Sequence, residues 1–587
     1  MTDIAPGAPR KRRWGRWIGL AMGLLLLAGV AAFAWDGWQL KAASADLRAH
    51  AFAAQAAVTN RDADALVTEV GAVQDASAKF VAATTGPHWL VASWIPLLKQ
   101  QTVPLQQAGA SVKAIADDAL GPLASMDDLS ALQVPAIVDG RIDPNVLEPY
   151  KATLATSAAV FTTQQKALAD VSLAHTVAAV RQPFLELQTE LGQMGNTVQG
   201  AHVAAEVLPA MLGADAPRTY LVMVQNNAEP RTTGGIPGAV LEVSVDDGRI
   251  TLDRYVSAAS LAAKGPIPGP LTKDEGTIFG DRMLTYPQDV NFTPEYVRSA
   301  VLMGQFWAAN YGDTIDGVLS IDPVALGYML ADMTPTDVEG ITITGANLSS
   351  VMLNESYLTF PDPKDQDAFF ALASQQLFAQ LIAGGSAAIA GTEQAISEHR
   401  FMVWSAHSAE QDLLGTTTVG GAFLGREGTL GLFVNDGSGS KIGYYIQSDA
   451  HVVNQMCRDG SLAGQAITLQ MTHTFTGDVA DLPWYISGGG VYVPAGDFEA
   501  NVLIYPPAGE GVVAVTADGT PIDVAPQTHD GRKLATARVV LAPGQTVTLK
   551  YTLTATQRGV LAPTFQFTPG PQPNVAASTV ITEGADC

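Results

Sequence analysis

The stretch Trp17 to Trp35 runs for nineteen residues without a charged side chain, and no other feature narrows the fold as much. As a helix rising ~1.5 Å per residue it reaches roughly 28 Å, close to the hydrocarbon thickness of a bilayer. Arg10, Lys11, Arg12, Arg13 and Arg16 stand before it. The positive-inside bias therefore predicts a basic cytoplasmic tail over 1–16, a transmembrane helix over 17–35, and an extracytoplasmic body after Asp36. Trp14, Trp17, Trp35 and Trp38 bracket the span as interfacial anchors do. A second reading stays open: Ala32-Phe33-Ala34 fits a small-x-small cleavage site, which would make the stretch a signal peptide. Both readings export the bulk of the chain.

At 587 residues the chain holds several cores, because single cores stop growing at about 250 to 300 residues. Its formal net charge of −24 argues against nucleic-acid binding, which needs a basic face to displace counterions. Three folded units are predicted behind the anchor, a multidomain α+β organisation. The first, 36–213, is an Ala-rich helical bundle broken at Gly86-Pro87, Pro96, Pro104, Gly121-Pro122 and Pro144. Three sets of residues fall at helical spacing and read as core: Leu66, Val70, Val73 and Phe80; Leu147, Leu154, Phe161 and Leu168; Phe184, Leu187, Leu191, Met194 and Val198. His88 to Leu98, HWLVASWIPLL, is unusually apolar for a connector. It admits two placements, in the outer headgroup layer or buried within the bundle.

The second unit, 217–396, alternates strands with helices as an α/β layer does. Tyr220–Val224 and Ala239–Val245 read as strands, and Val318–Ile321 leads to Asp322 as a helix cap with Pro323 behind it. Thr293 and Pro294 read as the cap and first residue of a further helix, and another runs from about Asp365 to Ile382. The third unit, 401–587, carries short β-branched runs (Ala466–His473, Gly490–Val493, Ala500–Ile504, Gly511–Val515, Ala535–Leu541, Thr546–Thr554) spaced as in an antiparallel sandwich. Leu432–Ile446 reads as a hairpin about Asp436-Gly437-Ser438-Gly439. Cys457 and Cys587 are the only cysteines. In an exported chain they read most simply as one disulfide stapling the C-terminal tail, with two unpaired thiols as the alternative.

The polar run Gln225 to Gly235, placed as a loop after a buried strand, is the candidate site. Asn226, Asn227 and Thr232 offer amides and a hydroxyl. Arg231 offers a planar fork for a carboxylate or phosphate, and Gly234 and Gly235 allow backbone N–H groups to approach an anion. The competing reading pairs Arg231 with Glu229 or a buried carboxylate and leaves the glycines to shape the turn. Asp281, Arg282 and Asp289 are secondary candidates that could join Arg231 in space. No HExxH, GxSxG, P-loop or strand-linked GxGxxG is present, so neither a metal nor a cofactor is expected.

QNNAEPRTTGG, NESYLTFPDP, MVWSAHSAEQDLL and VNDGSGSK closely resemble the actinobacterial membrane proteins of the DUF4012 family, a domain of unknown function. Over Arg218 to Ile382 the layout more remotely resembles the LytR-CpsA-Psr transferases, which move polyprenyl-pyrophosphate-linked glycopolymers to peptidoglycan with acidic metal ligands and several arginines. The transferase acid falls near Asn226 or Asn227 here, and the Arg-Ser-Asp-Thr element is replaced by Arg231-Thr232-Thr233-Gly234-Gly235. The Pro-Arg-Asp motif is missing from Tyr255–Leu261, and no arginine occurs in Leu353–Asp367. Those cations supply most of the charge stabilisation in phosphoryl transfer. The sequence is therefore read as a single-pass cell-envelope protein, a non-catalytic binding or assembly factor. Its expected partners are the membrane and an envelope polymer, a polyprenyl-phosphate lipid or another protein. The alternative is a divergent glycopolymer phosphotransferase.

Overall fold

The computed structural model of the protein describes residues 14–60, 62–126, 135–173, 175–262, 265, 267, 269–457, 462–555, 564–572 and 578–585, without the side chains of 14–28, 30, 55, 58–60, 386, 555, 578–581 and 583–585. The chain divides into two compact units, Met1–Leu129 with Thr156–Gln193, and Ser130–Ala155 with Met194–Cys587.

The first unit is helical. Its helices are α1 (Trp14–Asn60), α2 (Ala63–Ala82), α3 (Pro87–Trp94), α4 (Pro96–Ile115), the short α5 (Gly121–Ala124), most of α6 (Lys151–Ala169) and the first part of α7 (Ala178–Met211). Gly86 (ψ 163°) and Ile95 (ψ 116°) are held out of the helical region before Pro87 and Pro96, whereas Pro104 lies inside α4 and the backbone stays helical at Gly121 before Pro122, so the breaks expected at those two places do not form. Leu66, Val70, Val73 and Phe80 are buried, as are Leu154, Phe161, Leu168, Phe184 and Leu191, while Leu187 is half-buried. Helix α1 passes through the predicted span without a break and continues to Asn60. Among the described residues no helix is long and apolar enough to cross a membrane. Most side chains of 17–35, and the basic tail before Trp14, lie outside the described residues.

The second unit is built on three main sheets. β1 (Arg218–Arg231), β2 (Gly234–Asp246), β3 (Arg249–Ser257), β4 (Gly317–Ile321) and β7 (Met402–Ser405) form one, in the order β3-β2-β1-β4-β7. β1 and β4 run parallel and every other pair runs antiparallel. Period-two alternation divides β1 between two cores. Leu221 and Met223 pack against the helix Tyr296–Tyr311 through Tyr296, Ala300, Met303, Phe306 and Trp307. Tyr220 packs on the other side with Val203, Val207 and Met211 of α7. The end of α7 thus belongs with this sheet, and β7, beyond the predicted boundary at 396, completes it. Asp322 caps the next helix as expected, accepting from the Ala325 N–H at 2.8 Å. The helix placed at Thr293 starts two residues later, with Glu295 as its cap residue; the Thr293 hydroxyl instead accepts from the Glu295 N–H. A separate hairpin pairs β5 (Thr336–Val338) with β6 (Ile341–Ile343).

The remaining strands are β8 (Thr429–Asp436), β9 (Ile446–Cys457), β10 (Leu462–His473), β11 (Phe498–Tyr505), β12 (Glu510–Ala517), β13 (Thr520–Pro521), β14 (Pro526–His529), β15 (Arg532–Leu541), β16 (Thr546–Ala555), β17 (Thr564–Phe567) and β18 (Ser578–Ala585). They form two sheets, β13-β12-β16-β10-β9-β18 and β14-β15-β11-β8-β17. Alternate residues such as Leu432, Val434, Ile467, Leu469, Val502, Ile504, Ala537 and Leu549 share one core. The pairing is not wholly antiparallel, because β17 joins β8 and β18 joins β9 in parallel. Gly490–Val493 is not a strand: Gly488, Gly489 and Gly490 all take positive φ, which coils the chain there. Leu432–Ile446 is not a hairpin either. The Asp436 carboxylate accepts from the Ser438 hydroxyl (2.6 Å) and the Gly439 N–H (2.7 Å), turning the chain through a short 3₁₀ helix into the other sheet.

Candidate functional site

The polar run Gln225–Gly235 is not a loop. β1 continues through it to Arg231, and β2 begins at Gly234, so the candidate residues form the end of a long hairpin. Register shifts beside Gln225 and between Asn226 and Pro230 bulge the strand. Such bulges redirect side chains, and here Gln225, Asn226, Asn227, Glu229, Arg231, Thr232 and Thr233 are all buried.

Arg231 is 4% exposed. Its Nη2 donates to Glu229 Oε1 and to Asp289 Oδ1, each at 3.1 Å, its Nη1 donates to the Pro230 carbonyl, and the guanidinium lies 4.8 Å from the centre of the Phe292 ring. Burial disfavours its charge, but Glu229, Asp289 and Asp436 outweigh that and hold its pKa above the ordinary arginine value. Asp289 also takes Arg282, at 2.8 Å from Nε and 2.7 Å from Nη2, and Lys441 reaches Glu229 at 3.4 Å. Arg282 and Asp289 therefore do converge on Arg231. Asp281 stays exposed at the start of its short helix, its side chain making no cap bond.

Most of the amide and hydroxyl groups are engaged in the same way. Gln225 donates to the Ser320 hydroxyl and accepts from the Gly235 N–H at 2.9 Å. Asn226 donates to the Tyr357 hydroxyl (2.8 Å), and Asn227 to Asp322 (3.0 Å) and the Pro569 carbonyl (3.2 Å). Asp322 in turn holds Arg400 at 2.7 Å, whose guanidinium also donates to the Gly570 and Gln572 carbonyls. The Thr232 N–H donates to Asn435 and its hydroxyl to the Asn291 and Thr293 carbonyls. The glycines serve packing. A Cβ on Gly234 would lie 2.7 Å from Gln225 Oε1, and one on Gly235 would lie 2.2 Å from the Asn226 carbonyl. The Gly235 N–H, expected to face an anion, faces Gln225.

Arg231 is not the only shifted group of the cluster. Asp436 is pushed up to about 7, first by burial and then by Glu229, against the pull of Arg231 and its bonds from Ser438 and Gly439. Asp436, Asn291 and Arg400 were not singled out as site residues from the sequence, and Asp322 was read only as a helix cap. The only signal for Asp436 was VNDGSGSK, which reads as a turn.

Two hollows adjoin these elements. Asn227, whose Oδ1 has no hydrogen-bond partner among the described residues, lines a cavity of about 90 Å³ with Pro230, Phe498, Thr568 and Gln572. That is well below the ~300–1,000 Å³ of ordinary ligand pockets. An open groove of about 760 Å³ runs between β3 and the helix Pro363–Ala383, and holds none of the candidate residues. Glu275, His529 and Asp530 bring ligand atoms within 4.8 Å of one another, a grouping that the chain's histidine spacing did not reveal. Both Glu275 oxygens already receive Arg298, at 2.8 and 3.0 Å, so this carboxylate has its cation.

Residues 215–357 match the sequence model of a family described as a protein of unknown function, DUF4012. The matched span runs from β1 through β4 to Tyr357, the residue that takes the Asn226 amide. No curated protein and no solved structure matches the chain.

Proposed function

We propose that this chain is a single-pass, extracytoplasmic protein of the actinobacterial cell envelope, acting as a non-catalytic binding or assembly factor for an envelope component. The observation that carries the reading is the double pairing of Arg231 with Glu229 and Asp289 under almost complete burial. A transferase of the LytR-CpsA-Psr kind needs cations directed at a pyrophosphate. Arg231 and Lys441, the cations at this hairpin, are directed at carboxylates of the same chain. Export is supported by the charge-free stretch Trp17–Trp35 behind five cations, and by the unbroken backbone of α1 across it.

The proposed Cys457–Cys587 bridge fits the export reading. Cys457 is 3% exposed at the end of β9, and the register of β18 sets Ala585 opposite it. Cys587 lies outside the described residues, two positions further on.

The test combines topology and chemistry. Protease applied to intact cells is expected to degrade the body of the full chain and to leave an N-terminal cytoplasmic tag protected. A tag cleaved off during export, or a body protected until lysis, would overturn the topology. Incubation of the full chain with a polyprenyl-pyrophosphate-linked glycopolymer and peptidoglycan is expected to give no transfer. Transfer would establish the phosphotransferase in place of the binding factor.

A further inference from the structure

We infer that the elbow between α3 and α4 is a second membrane contact, seated in the outer leaflet of the bilayer that holds the proposed anchor. The inference rests on that anchor.

From Trp89 to Leu98 no side chain is ionisable. Trp89 and Ala92 are buried, but Leu90, Val91, Trp94, Ile95, Leu97 and Leu98 face outward, with Trp94 86% and Leu97 75% exposed. Single exposed apolar residues are ordinary, whereas six within nine positions make a patch of the kind that marks an interaction surface. The backbone of the elbow suits a low dielectric. The Ile95 N–H donates to the Ala92 carbonyl, the Ile95 carbonyl accepts from Leu98 and Lys99, and Pro96 has no N–H to satisfy.

What selects lipid as the occupant is the height at which the elbow is held. The Asp36 carboxylate accepts from Trp89 Nε1 at 2.8 Å and is bonded to His88 Nε2 at 2.5 Å. Phe33 meets both rings edge-on, 4.8 Å from His88 and 5.2 Å from Trp89. Phe33 and Asp36 flank the outer end of the proposed span, beside the exposed Trp35 and Trp38. Five helical residues separate Trp89 from Trp94, a rise of only about 8 Å. The exposed patch thus stays within reach of the headgroup and acyl boundary, where tryptophan partitions and where amphipathic segments sink about 5–10 Å. Lys99, the first charge after the patch, can extend its ammonium back toward water.

The test uses the full chain reconstituted in phosphatidylcholine and phosphatidylglycerol vesicles, with Trp94→Cys or Leu97→Cys carrying an environment-sensitive fluorophore. Val513→Cys, exposed on β12, is the control, and the parent chain is the labelling blank. Lipids bearing a shallow doxyl group are expected to quench the label at 94 and 97 but not at 513, and aqueous iodide is expected to quench only 513. If the chain floats with the vesicles yet 94 and 97 respond to iodide as 513 does, the elbow contact is refuted and the anchor stands. Shielding from both quenchers also refutes it, by showing a protein neighbour such as a second copy. A chain that fails to float refutes the anchor and the elbow together.

Discussion

Replacing Arg231 by methionine keeps the length of the side chain and removes its charge, which isolates what the buried cation does. Among the described residues Glu229 would keep only the cation of Lys441, at 3.4 Å, and Asp289 would keep the two contacts from Arg282. Breaking a buried ion pair from one side costs about 3–5 kcal/mol because the surviving charge is stranded. Here each carboxylate retains another cation, which places the expected loss near the lower end, about 3 kcal/mol. The stacking of the guanidinium on Phe292, lost as well, adds about 0.5–2 kcal/mol, for an expected total of about 3.5–5 kcal/mol. Urea unfolding of the full chain, followed by far-ultraviolet circular dichroism, measures the change. Arg231→Lys should fall between parent and methionine, since one ammonium does not reproduce the planar fork. Combining Arg231→Met with Asp289→Asn should cost less than the two single losses added, because the second change removes a stranded charge. A methionine variant within about 0.5 kcal/mol of the parent, the range of ordinary surface changes, would refute this account. It would do so most strongly if binding to an undecaprenyl-phosphate vesicle fell at the same time, since Arg231 would then be a ligand contact.

Asp436 and Glu510, both held near 7 chiefly by burial, keep their protons in the folded chain up to about that pH. Their unfolded counterparts release them near ~4. The native state binds more protons between these values, so both groups lower stability as pH rises from about 4 to 7. Asp436→Asn and Glu510→Gln should therefore gain urea midpoint relative to the parent between pH 5 and pH 8, and an unchanged difference would contradict the assignment. Gly235→Ala should cost about 1–3 kcal/mol, since its Cβ would press on the backbone of Asn226 at 2.2 Å, whereas Gly238→Ala, with nothing nearer than 3.9 Å, should be nearly silent. Equal stability of the two variants would show that the hairpin relaxes around the extra methyl. Peptide mapping without reduction should recover Cys457 joined to Cys587, and alkylation of both thiols in envelope-derived protein would refute the bridge.

How much was legible beforehand depends on the range of the interaction that decides each residue's fate. Helical stripes such as Leu66, Val70 and Val73, and β-runs such as Ala500–Ile504, announce themselves because burial imposes a period on neighbouring residues. The Asp322 cap was legible for the same reason: its partner, the Ala325 N–H, is three residues away. Leu432–Ile446 misled because Asp-Gly-Ser-Gly chemistry specifies a turn but not which sheet the chain enters afterwards. The polar run after Val224 was harder still. Amides, an arginine and paired glycines have the composition of an anion site and equally of a buried polar core, since both need donors at fixed positions. What separates them is the source of the counter-charge, and for Arg231 one partner lies two residues away while the other lies 58 residues away. The competing local clue, Glu229, was visible in the sequence. It gained its force only when Asp289 arrived from the far side of the hairpin and closed the guanidinium off from water. Glu229 and Asp289 both accept from Nη2, so with Glu229 alone one N–H of that nitrogen would be left for a ligand, and Asp289 is the carboxylate that takes it within the chain.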